Sequence, residues 1–152
     1  MSASKIPSTP DPRIGKNTGV IPPYCPPDYK HVYWFYAICL DPKAAGVDVE
    51  PRMFRISVEK SLYMEGLMIG QWQTIPVPAQ DLFQSKLGYG ASNYPWAFNE
   101  DKAIVYDYNP DNHPVTQEFC DTYTNIHGIT PPNDLDLMGK IIEGFPQGIR
   151  QS

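Results

Sequence analysis

Seventeen prolines divide this chain of 152 residues, and their placement limits where regular structure can form. Proline fixes φ and removes a backbone donor, so it is excluded from helix interiors and central strands. Seven of the prolines (Pro7, Pro10, Pro12, Pro22, Pro23, Pro26 and Pro27) fall within the first 30 residues, where apolar periodicity is almost absent. Residues 1–30 therefore read as an extended proline-rich arm that lies along a partner, and residues 31–152 as a single folded domain. The run VYWFYAICL, Val32 to Leu40, is bounded by Asp41 and Pro42 and reads as a strand buried on both faces. Pro51 suits a first helical turn, Phe54, Val58 and Leu62 recur every fourth residue, and Gly66 stands where a left-handed cap is expected. The next apolar segment, LMIG from Leu67 to Gly70, reads as a second strand, giving strand, helix, strand.

Residues 64–90 thus begin as a helix end and a short strand and then fit neither period, with Trp72, Gln73, Pro76, Pro78 and Gln80 in one stretch that has no ladder of its own. AIVYDY, Ala103 to Tyr108, reads as a short strand, and Pro114 opens a helix through Phe119 and Cys120. Asn133 can cap a last helix striped by Leu135, Met138, Ile141, Ile142 and Phe145. The sum is an α+β fold, a short and mostly antiparallel sheet with helices packed on it.

Composition excludes several function classes. Twelve basic against 17 acidic residues give a net charge of −5, with no basic cluster interleaved with aromatics, so no nucleic-acid partner is expected. No apolar run reaches the roughly 20 residues that span a bilayer, and no basic start with an apolar core marks a secretion signal, so a cytoplasmic chain without membrane contact is expected. Cys25, Cys39 and Cys120 are odd in number and irregular in spacing, and His31, His113 and His127 have no second ligand three or four residues away. Neither a disulfide framework nor a metal site is expected. No glycine-rich phosphate loop or nucleophile elbow occurs, and acid pairs such as Asp107 with Asp111 and Asp134 with Asp136 read as turn and cap residues.

Five segments taken together carry a resemblance: HVYWFYAICLDP, the helix ending in LYMEGL, WQTIPVPAQDLFQSKLGYG, YPW, and YNPDNHPVTQEFCDTYTNIHGITPPNDLDLMGKIIEGF. In this order and spacing they resemble the C-terminal small domain of the DegT/StrS family of pyridoxal phosphate (PLP)-dependent sugar aminotransferases, in particular the branch acting on cyclitols and aminoshikimate-like rings. The resemblance covers roughly residues 31–147. It implies a fold-type I small domain whose large domain, bearing the Schiff-base lysine, the pyridine-nitrogen partner and the phosphate loop, is not encoded here. No cofactor or catalytic residue is then expected in this chain, since Lys5, Lys16, Lys30, Lys43, Lys60, Lys86, Lys102 and Lys140 lack a Schiff-base motif.

The resemblance implies the small subunit of a split aminotransferase, a hetero-oligomer in which a large partner subunit carries PLP and the lysine. The alternative is a non-catalytic, stand-alone binding or regulatory remnant of such an enzyme. The implied chemistry is ping-pong transamination, with nitrogen passing from an amino donor to a cyclic keto-sugar or cyclitol-like ketone. This chain would contribute substrate-cleft walls through Trp72, Gln73, Pro76 and Gln80, with the ring of Trp72 against an apolar substrate face and Gln73 toward hydroxyls. Many family members carry histidine and tyrosine where this chain has Trp72 and Gln73. A structural role for Trp72, plugging a gap beside the small sheet, is the competing expectation.

Overall fold

The computed structural model describes residues 19–29, 34–90, 93–96, 107–128 and 140. The expected strand at Ala103 to Tyr108 falls mostly outside these residues, with Asp107 and Tyr108 in a loop, and the helix expected from Asn133 lies outside them apart from Lys140. Most of the proline-rich arm lies outside them too. Two compact units are formed, one from the described residues up to Trp72 together with those from Asp121 onward, the other from Gln73–Cys120.

The first unit is built around helix α1, Pro51–Met64, whose ends are set locally. The Glu50 carboxylate accepts from the amides of Arg52 (3.0 Å) and Met53 (2.9 Å), answering two of the donors a helix start leaves unpaired, and Pro51 occupies the first position, where its missing N–H costs nothing. At the other end Gly66 adopts φ +92°, its amide donates to Tyr63 O (3.0 Å), and Leu67 N donates to Leu62 O (3.0 Å). That pair of bonds is a Schellman cap, and it brings Leu67 beside Leu62 in the core.

The sheet is antiparallel and four-stranded. Its strands are β1 (Val20–Ile21), β2 (Tyr36–Leu40), β3 (Ile69–Gly70) and β4 (Tyr123–Ile126), in the order β1-β2-β4-β3. Because β2 and β3 both run antiparallel to β4, they are parallel to each other, and the β2-α1-β3 crossover steps over the strand that separates them. The α+β class read from the sequence is the one observed. Alternation along β2 sends Tyr36, Ile38 and Leu40 to the face bearing α1, where they pack with Val20, Phe54, Val58, Leu62, Leu67 and Ile126. Ala37 and Cys39 point the other way and are half-buried, so β2 has one fully buried face rather than two. Tyr123 and Asn125 of β4 are buried beside them.

Two features join the edges to this core. Gly19 adopts φ +71° with its carbonyl accepting from Asp41 N (2.7 Å), and a Cβ there would stand 2.6 Å from Asp41 O and 2.7 Å from the Ala45 methyl. Arg55, only 6% exposed, lies on α1, donates from Nη1 to Glu59 Oε2 (2.8 Å) and from Nε to Asp121 O (3.2 Å), so the chain two residues before β4 is tied to α1.

The second unit replaces the stretch that fits no period. A 3-10 turn, Val77–Ala79, leads into a five-residue helix α2, Asp81–Ser85, so part of this segment does have a backbone ladder. Further along the chain, a 3-10 turn at Pro110–Asn112 precedes helix α3, Pro114–Thr122, which begins at the expected proline and runs directly into β4. No helix among the described residues is long and apolar enough to cross a membrane.

Candidate functional site

Trp72 is the last residue of the first unit. It follows Gln71, whose Nε2 donates 2.7 Å to Tyr123 O and so fastens the end of β3 to β4. The β3–β4 pairing is prolonged by His127 N donating to Met68 O (2.8 Å), which fixes His127 one step beyond the strand. Phe35 stands just before β2 and His127 just after β4, and the Trp72 ring reaches Phe35 from the residues that follow β3. The Phe35 ring lies 5.5 Å from Trp72 at an interplanar angle of 50° and 4.8 Å from His127, edge-on at 73°. Trp34 meets Phe35 edge-to-face at 5.9 Å. Phe35 is the half-buried base of this cluster, and Trp72 stands on it with 71% of its surface open. A ring supported from below and exposed above is a stacking platform.

The other three residues expected at the site belong to the second unit. Gln73 is half-buried and its Nε2 donates to Ile75 O, two residues on. Pro76 is buried and sets the 3-10 turn, its carbonyl accepting from Ala79 N at 2.9 Å. Gln80 precedes α2, where its carbonyl accepts from Phe83 N (2.9 Å) and Gln84 N (3.1 Å) while its side chain caps nothing. Pro76 and the Gln80 backbone thus shape one turn, and Trp72 stands in the first unit.

Gln84 holds the second unit together from both sides, Nε2 donating to Pro78 O (2.6 Å) and to Tyr108 O (2.8 Å). Beside it opens a cleft of about 400 Å³ lined by Leu82, Phe83, Leu87, Gly88, Tyr89, Pro95, Trp96 and Tyr108. None of the four residues expected at the site lines it. Its floor depends on Gly88, where an added Cβ would overlap the Tyr94 carbonyl. Asn93, in the left-handed region at φ 52°, closes the same loop by accepting from Gly88 N and donating from Nδ2 to Lys86 O (2.8 Å), and Tyr89 N donates to Tyr94 O (2.8 Å).

The sequence reading missed Phe35 as the neighbour of Trp72 and His127 as the ring that packs on Phe35 in turn. His127 could be placed only by recognising β4, and Tyr-Thr-Asn-Ile carries too little apolar alternation to show as a strand. The cleft had a clearer signal, since Phe83, Tyr89, Trp96 and Tyr108 concentrate four rings within a short span.

Among the described residues no group of three histidine, cysteine or acidic side chains could hold a metal ion. Among the described residues Lys43, Lys60, Lys86 and Lys140 are exposed, and the residues lining the aromatic cleft include no carboxylate. Neither a known family model nor a curated protein matches the chain.

Proposed function

We propose that this chain supplies the small-domain walls of a PLP-dependent aminotransferase, with the cofactor and its Schiff-base lysine on a large partner domain and a cyclic keto-sugar or cyclitol-like ketone as substrate. The setting is a hetero-oligomer in the cytoplasm. Trp72 carries the reading: its ring is 71% exposed on a base of Phe35, where a gap-filling tryptophan would be enclosed. The α+β layer and the ordered series of segments that resembles the DegT/StrS small domain support it.

No proton transfer and no step of the transamination is assigned to the described residues of this chain. Their contribution is to bind and orient: the exposed face of Trp72 takes the apolar face of a six-membered ring, and enclosing that ring excludes water. Gln73 and Gln80 remain proposed hydroxyl partners and Pro76 a fixed wall, with the Gln73 amide already engaged by Ile75 O.

The test is Trp72→Ala in the assembled complex. Removing a stacking ring is worth about 1–3 kcal/mol, so KM for the ketone should rise or turnover fall by roughly five- to 150-fold, with PLP content and assembly unchanged. Unaltered kinetics in a fully assembled variant would overturn the assignment. A second reading, a stand-alone binding or regulatory module, is favoured by the aromatic cleft of Gln73–Cys120, which needs no cofactor to bind a ligand.

A further inference from the structure

We propose that the cleft of the second unit is a binding site for a planar, uncharged or anionic aromatic ring compound of about indole size. The inference is independent of the aminotransferase reading, since the cleft contains none of Trp72, Gln73, Pro76 or Gln80.

Three observations carry it. The cleft, at about 400 Å³, falls in the range of roughly 300–1,000 Å³ usual for small-molecule sites. Its walls are rings in mutually inclined planes: Phe83 meets Trp96 edge-to-face at 6.4 Å and 84°, and Tyr108 at 5.1 Å and 57°. Rings set this way present both faces and edges toward a common space, the arrangement that accepts a further flat ring by offset or edge contacts. Charge then selects among flat rings. The Lys86 ammonium lies 6.0 Å from the centroid of the Tyr108 ring, and no carboxylate is among the lining residues. A cationic ligand beside Tyr108 would meet the repulsion of Lys86, whereas a carboxylate on the ligand would be attracted. Gly88 and the Asn93 clamp fix the loop that carries Tyr89 and Pro95, so the cleft is held by hydrogen bonds independent of any ligand.

The experiment is a titration of the full-length, nitrogen-15-labelled chain with indole, indole-3-acetate and tryptamine, followed at the three tryptophan side-chain N–H resonances, with Trp96 assigned through Trp96→Phe. Expected is a saturable shift confined to Trp96 for indole and indole-3-acetate, with tryptamine weaker by roughly three- to tenfold. Phe83→Leu, which keeps apolar volume and removes a ring, should weaken all three ligands by roughly two- to tenfold. Lys86→Gln, at an exposed position, should abolish the preference for indole-3-acetate over tryptamine and leave indole unchanged. Absence of saturation at Trp96, equal shifts at Trp34 and Trp72, or a wild-type affinity for tryptamine equal to that for indole-3-acetate would each overturn the proposal.

Discussion

Replacing Trp72 with alanine should cost little folding stability, and the structure sets how little. With 71% of the residue exposed, about three-tenths of its surface is covered, mainly by Phe35 and its surroundings. For a side chain of roughly 250 Å² that is about 70 Å² of apolar contact, worth close to 2 kcal/mol at ~25 cal/mol per Å². The figure is an upper bound, because an unfolded chain already hides part of that area, so a loss of about 1–2 kcal/mol is expected. Phe54→Ala is the internal standard: Phe54 is 5% exposed within the α1–sheet core, and truncating a buried phenylalanine costs about 3–5 kcal/mol. Urea unfolding of wild type and both variants should show the two midpoints displaced by clearly different amounts at a common slope. A loss for Trp72→Ala equal to that for Phe54→Ala would refute the platform and restore a packing role.

Other outcomes follow from single contacts. Arg55→Ala leaves Glu59 half-enclosed without its 2.8 Å partner and frees Asp121 O, and should cost about 3 kcal/mol, read by thermal or urea unfolding. Gly19→Ala must adopt φ near +71° and press a methyl against Asp41 O and the Ala45 side chain, so it should destabilise by more than about 1 kcal/mol in the same assay. Burial raises the Cys39 thiol pKa above its ordinary 9.0, against an opposing hydrogen bond with Thr122. The folded state then holds that proton more tightly than the unfolded state. Its contribution is complete below pH 9 and is lost as pH rises through the folded value, so wild type should lose stability relative to Cys39→Ala on passing from pH 8 to pH 10.

How much of this was legible differs element by element. Helix α1 was readable because three signals agree on it: Pro51 at the start, a stripe every four residues, and Gly66 at the cap. The Glu50 cap was not, since glutamate is an uncommon capping residue and nothing in its neighbourhood marks it. Strand β4 was missed because Thr124 and Asn125 are polar yet buried, their places fixed by pairing with Ile38 and Ala37 rather than by their own hydropathy. Helix α2 was missed because five residues are too few to establish a period, and it ends on Lys86 at φ 52° instead of a glycine. At the candidate site the sequence left Trp72 between a cleft wall and a gap-filling ring, because its packing on Phe35 is a contact between residues far apart in the chain, which local sequence does not specify.

The central claim, that these residues wall a substrate cleft whose cofactor sits on a large partner domain, is tested most directly by purifying the chain from its native cells and reducing the preparation with borohydride. The account predicts co-elution with a protein that shows the absorbance of bound PLP, and a reduced pyridoxyl adduct mapping to a lysine of that large domain. Elution without any PLP-bearing protein, or an adduct mapping to Lys43, Lys60 or Lys86, would contradict it.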